Sequence, residues 1–287
     1  MKISTLDPTK YKRLFTFGCS FTNYIWPTWA DIVGQDFEFY ENWGRTGAGN
    51  HFIFNSVMEC DARHNFTHED LILIMWSNPE REDRYINQDW LCASIQDKEK
   101  VYGKKWVQKF GLDIRGYLIR DLAYIKATQE FLNSKSVDWA NFSMYSICSL
   151  DISNILKDGY TYTEHLDLFV KRYVALDRSL CDGNPIQEPY AKDIDVLNLY
   201  RSTYSNISYS MLDVIRNGHA FREGLANFGD LHCTPIEHLH YLNSIYPDNT
   251  LSKKSKIFAE HWEKVVQKIT KKDVLPETFI KSKVIRF

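Results

Sequence analysis

Four short stretches of this chain combine residue types that chemistry can use. The first is Phe17-Gly-Cys-Ser20-Phe-Thr22, at the end of the β-prone run Leu14–Phe17. A strand that ends in Gly-x-Ser presents a hydroxyl at the carboxyl edge of a sheet, where ligands collect in open α/β folds. Alone the tripeptide is weak, because many tight turns contain it. The second is Asn42–Asn50, with Gly44, Gly47 and Gly49. Such a turn can aim backbone N–H groups at an anion, or it can simply be a loop that needs positive φ angles. It lacks Gly-Lys-Ser/Thr and G-x-G-x-x-G, so phosphate binding has little support. The third is Asn78, just after the apolar run Leu71–Met75. Its amide could donate to an oxyanion, although a turn Asn is common. The fourth is Gly229-Asp230-Leu-His232-Cys-Thr-Pro-Ile-Glu-His238-Leu-His240. It sets an acid and a base at the mouth of a helix. His238 and His240 are two apart on that helix and point away from each other, which argues against a three-His metal centre. No metal and no cofactor are expected.

These residues need elements to position them. Leu14–Phe17 reads as a strand, followed by a helix through Trp29, Ile32 and Val33. Phe37–Tyr40 reads as a second strand. A helix follows from about Asn50, with Phe52, Ile53, Val57 and Met58 inward. Leu71–Met75 is continuously apolar, as suits a strand buried on both faces of a parallel sheet. Strand, helix, strand, helix, strand is the α/β pattern. Residues 86–112 give no clear reading. Residues 116–133 have helical spacing in Leu118, Leu122, Ile125 and Phe131, and Val137–Phe142 reads as a further strand. Residues 150–228 are polar and weakly periodic, and are expected to form an insertion or cap on a single domain spanning 1–287. Thr234-Pro235 starts a helix, with Thr as cap and Pro in the first turn. A last helix is expected over about 254–271.

Composition narrows the partners. Apolar residues make up 44% and charged residues 25% of the 287, an ordinary globular balance. The formal charge of -2 gives no basic excess for phosphates, so nucleic acid is not expected. No apolar run approaches the ~20 residues that span a bilayer, so no membrane partner is expected. The N-terminal residues lack the apolar core of a secretory signal, which points to the cytoplasm. Cys19, Cys60, Cys92, Cys148, Cys181 and Cys233 are scattered without CxxC pairs and read as free thiols. Three Asn-x-Ser/Thr matches, at Asn65, Asn141 and Asn206, read as chance. Aromatics reach 15%, which mostly serves a core but also supplies flat stacking surfaces of the kind that sugar clefts use.

The order of the four stretches says more than any one of them. Gly-x-Ser, a glycine turn, an Asn after the third strand, then Asp and His near the C-terminus resemble the four blocks of SGNH (GDSL-like) hydrolases. The resemblance covers roughly residues 12–80 and 228–245. Gly18-Cys-Ser-Phe-Thr22 with Trp26-Pro27 is similar to the opening of phage and marine bacterial members. The resemblance implies a three-layer, flavodoxin-like sandwich with a mainly parallel sheet. It implies Ser20 as nucleophile, with His232 as base and Asp230 as its orienting acid. The Ser20 N–H, the Gly47 N–H and the Asn78 side chain would form the oxyanion hole. Two departures stand out. Cys19 occupies the place of the usual Asp of the first block. One residue separates Asp230 from His232 where the family has two, which leaves His238 as an alternative base. Trp76, Arg81 and Tyr85 are expected to line the substrate cleft beside Asn78. The implied activity is hydrolysis of an acyl ester, foremost acetyl, on a small molecule or polysaccharide. The alternatives are a weakly active or inactive scaffold, virion-associated if phage-encoded, and acyl transfer to a sugar hydroxyl.

Overall fold

The computed structural model describes residues 2–79, 81–93, 101–106, 114–144, 210–217 and 232–267. In chain order the main elements are β1 (Arg13–Phe17), α1 (Trp29–Gly34), β2 (Phe39–Asn42), α2 (Asn50–His64), β3 (Asp70–Trp76), β4 (Glu82–Ile86), β5 (Asp89–Ala93), α3 (Ile114–Ser134), β6 (Asp138–Ser143), α4 (Met211–Asn217), α5 (Pro235–Ile245) and α6 (Lys253–Val266). Four strands form a parallel sheet in the order β2-β1-β3-β6. This is the α/β sandwich that the strand–helix alternation predicts.

Alternation along the strands divides the core. Successive side chains of a strand point to opposite faces. Leu71, Leu73 and Met75 join Leu14, Ala140 and Phe142 beneath α1, α5 and α6, together with Trp29, Tyr241 and Trp262. Ile72, Ile74 and Trp76 join Phe15 and Phe17 on the other face, against Ile53 and Val57 of α2 and Leu122 and Ile125 of α3. All seven residues of β3 are buried, which explains its unbroken apolar sequence. Each large side chain buried in this way contributes about 1.5–3 kcal/mol relative to exposure.

The topology also marks a place where a ligand would fit. From β1 the chain steps to β2 on one side and then returns to β3 on the other. The crevice between the carboxyl ends of β1 and β3 is therefore a switch point, where open α/β sheets bind ligands. Ser20 follows β1 and Asn78 follows β3, one on each side of it.

An antiparallel hairpin that the sequence did not reveal runs into the region without a clear reading. Strands β4 and β5 pair from Glu82↔Ala93 to Ile86↔Asp89. The region expected to be an insertion or cap lies outside the described residues, apart from α4. Among the described residues, no helix is long and apolar enough to cross a membrane.

Candidate active site

The turn after β1 is built around a close approach. A Cβ on Gly18 would lie 2.0 Å from Thr22 Oγ1 and 3.0 Å from the Met75 carbonyl, so only glycine fits. The Cys19 carbonyl accepts the N–H groups of Thr22 (2.9 Å) and Asn23 (3.0 Å), closing a tight turn around Ser20. Cys19 is fully buried, and its Sγ sits 3.5 Å from Met144 Sδ in the core. The neighbouring thiol is thus directed into the core. Ser20 itself is only 4% exposed, where the sequence predicted an open hydroxyl.

The glycine turn after β2 is knitted onto this first turn. Arg45 N–H donates to the Gly18 carbonyl (3.0 Å), and the Asn23 side chain donates to the Gly44 carbonyl (2.8 Å). Asn42 Nδ2 donates to the Thr22 carbonyl (2.8 Å), while its Oδ1 accepts from Gly44 N–H (2.9 Å). Gly47 takes a positive φ of 82°, so its glycine serves the backbone as well as any role in the site.

The anion-binding reading of this turn meets a correction. The N-terminus of α2 already holds a carboxylate from the protein: Asp83 Oδ1 accepts from Gly49 N–H (2.9 Å) and Oδ2 from Phe52 N–H (3.0 Å). Asp83 is 2% exposed, so it satisfies that helix end internally.

The third loop is held from below by a residue that the sequence did not single out. Asn50 Oδ1 accepts from Ser77 N–H (2.7 Å), and its Nδ2 donates to the Ser77 carbonyl (3.0 Å) and to Asp121 Oδ2 (2.8 Å). Asn50 thus fixes the residue next to Asn78. Burial raises the Asp121 carboxyl to about 7, against the opposing pull of Arg120 and Asn50. Asn50→Ala is expected to destabilise the protein by about 2–4 kcal/mol in urea unfolding, because it strands the buried Ser77 backbone groups. A loss below ~0.5 kcal/mol would mean that the loop holds itself.

Of the three expected cleft residues, Trp76 stands differently. Trp76 is fully buried among Phe17, Ile53 and Leu122, on the α2/α3 face of the sheet. It is a core residue, because its position in β3 has the parity of Ile72 and Ile74. Arg81 donates from Nη1 to the Ala48 carbonyl (2.7 Å), so it ties the hairpin to the glycine turn. Tyr85 is 63% exposed and meets Trp90 edge-on, with centroids 5.7 Å apart. Asn78 is half-buried, and its carbonyl accepts from Arg81 N–H (3.4 Å).

The C-terminal segment packs onto the first turn. The His232 ring stacks on Tyr24 (centroids 3.7 Å, 16° between planes) and lies 5.1 Å from the ring of Phe21, the residue after Ser20. Trp26 Nε1 donates to the Cys233 carbonyl (2.8 Å), which gives the Trp-Pro of the first block a structural task. Helix α5 starts with a capping box: Thr234 Oγ1 accepts from Glu237 N–H (3.3 Å) and Glu237 Oε2 from Thr234 N–H (2.8 Å). The cap, with Pro235 behind it, fixes where His232 leaves the helix. His238 lies in the second turn of α5 and is 1% exposed. Asp230 lies outside the described residues.

No protein-family model and no curated protein matches the chain. Among solved structures, the crystal structure of the protein YxiM from Bacillus subtilis is similar over 73% of this chain, at 12% identity and a TM-score of 0.25. The matched part spans 58% of that protein's length. A likeness this distant says nothing of activity, and the parallel sheet stands on its own pairing.

Proposed function

We propose that this chain is a serine esterase of the SGNH type, acting on an acyl ester at the crevice between β1 and β3. Ser20 Oγ attacks the acyl carbon while His232 takes its proton. The Ser20 and Gly47 N–H groups and the Asn78 amide hold the oxyanion. Collapse expels the alcohol, which takes the proton from His232. Water, activated by the same His, then releases the acid and frees Ser20. Asp230 orients the imidazole. Acetyl esters of carbohydrates are the favoured substrates, with the exposed ring of Tyr85 as a stacking surface.

The observation that supports this reading most is the packing of His232 on Phe21 and Tyr24, which brings an imidazole from the C-terminal segment next to the turn of Ser20. Turnover of p-nitrophenyl acetate and labelling by a fluorophosphonate test it, with the label expected on Ser20. Asn78→Ala is expected to lower kcat by about 10²–10³-fold with a smaller change in KM, the usual effect of losing one oxyanion donor. An unchanged kcat would leave Asn78 a turn residue only.

A second reading has one observation in its favour. Ser20 is 4% exposed, and His232 lies flat on Tyr24, an arrangement that suits a rigid binding scaffold without turnover. The scaffold reading expects neither hydrolysis nor labelling from a folded protein.

A further inference from the structure

We propose that Glu41, Cys60 and His64 form a binding site for a divalent ion of the zinc type, separate from the turns that carry Ser20 and Asn78. One ligand atom from each of the three lies within 4.8 Å of the others. Cys60 and His64 are four apart on α2 and share a helix face. Glu41 comes from β2, the edge strand of the sheet. The site thus sits where α2 crosses the sheet edge, beside Phe15 and Phe39.

The donor set suits such an ion. Thiolate, imidazole and carboxylate are the three ligand types that zinc takes. Ligands on a tetrahedral zinc stand roughly 3.3–3.8 Å apart, given bonds of about 2.0–2.3 Å, so the cluster needs to close by only about 1 Å. Two anionic ligands and a neutral imidazole cancel a dication in a half-buried place. Cys60 loses its proton to solvent on ligation, and His64 ligates through Nε2 with the proton on Nδ1. The fourth position opens to water, since the His64 side chain is 22% and the Glu41 side chain 35% exposed. Glu41 also lines a shallow groove with Trp43, Arg45 and Phe52.

The groups are already held in place. His64 Nε2 lies 2.9 Å from Glu41 Oε2. Trp43 Nε1 donates to the same carboxylate oxygen (2.8 Å), an outer contact of the kind that orients metal ligands. The rings of Phe15 (4.9 Å), Phe39 (5.8 Å) and Trp43 (6.4 Å) surround the imidazole. The nearby guanidinium groups are engaged elsewhere: Arg13 with Asp70 and Arg63 with Glu59. The plain alternative is a core thiol beside a half-exposed Glu–His pair. A pair of that kind contributes little, about 0–1 kcal/mol, and does not call for a sulfur in the same cluster. The sequence reading expected no metal because its only candidate cluster was the histidines near the C-terminus. Here the ligands come from two elements, nineteen and four residues apart in the chain.

Titration of the chelator-treated full chain with Co2+ tests the site. The expected result is one equivalent bound, with a thiolate-to-cobalt charge-transfer band and the visible bands of four-coordinate cobalt, all bleached by Zn2+. Cys60→Ser is expected to abolish the charge-transfer band. Glu41→Gln and His64→Gln are expected to weaken Co2+ binding by more than about 10-fold, because losing an outer partner alone costs that much. Ser20→Ala is expected to bind Co2+ as the parent does, which separates this test from that of the esterase reading. No charge-transfer band in the parent protein, or a band that survives in Cys60→Ser, overturns the proposal. If Cys60→Ser does not fold, unchanged affinity in both Gln variants overturns it.

Discussion

Ser20→Ala is expected to give a folded protein with ester turnover about 10⁶-fold down and with no fluorophosphonate label. The substitution removes one oxygen from a side chain that is 4% exposed, in a turn closed by backbone bonds from Cys19. The turn therefore keeps its shape, and the melting temperature stays close to that of the parent. The obvious substitute nucleophile is the adjacent thiol. Cys19 is fully buried, with its sulfur against Met144, so it cannot take over without unpacking the core. Mapping the label by peptide mass decides the matter. A label that persists in the Ala variant, or falls on Cys19, removes Ser20 from the mechanism.

His232→Gln is expected to remove nearly all activity, while His238→Gln costs about 10-fold. The two histidines stand in different places. His232 precedes the capped start of α5 and lies over the first turn, against Phe21 and Tyr24. His238 is inside the helix, and its backbone N–H is bonded to the Thr234 carbonyl (2.9 Å). The His238 ring is 1% exposed and confined by its packing, whereas His232 is half-buried on the segment before the helix. Rates of acyl release for the two variants, measured on p-nitrophenyl acetate, separate them. The reverse order of effects would make His238 the base and leave Asp230 without its partner.

What the sequence disclosed depended on whether the signal was local. Leu71–Met75 was legible because burial on both faces leaves no polar position in the run. Thr234 and Pro235 were legible because a helix cap and the proline behind it are adjacent in the chain. The hairpin was not. Asn87 and Gln88 both take positive φ (52° and 66°), the backbone of a tight hairpin turn. Asn-Gly is the usual signature of that turn, and Gln in the second place hid it. Its strands also carry Glu82, Asp83, Arg84 and Asp89, so no apolar alternation marked them. Trp76 was misplaced because its neighbours Ser77 and Asn78 belong to the crevice while its own parity faces the other side. Asn50, Asp83 and Asp121 escaped notice for another reason. Each acts on a partner at least 27 residues away, and no spacing rule reports such a pair.

The hairpin has the position of a lid but the attachments of a wall. Asp83 caps α2, Arg81 grips the Ala48 carbonyl, and Arg120 of α3 holds Glu82 (3.0 Å) and the Arg81 carbonyl (2.8 Å). Swinging it open would leave a helix end uncapped and several charges seeking water. At roughly 1.5–2 kcal/mol for each of the three charged side chains Asp83, Arg81 and Arg120, the open state costs about 5 kcal/mol. That puts it at roughly one molecule in several thousand. A substrate that had to wait for so rare a state would see its association slowed by the same factor. For the proposed esterase, fast capture then requires an approach to the crevice that leaves the hairpin shut, and selection among substrates by a fixed contour rather than by closure around them.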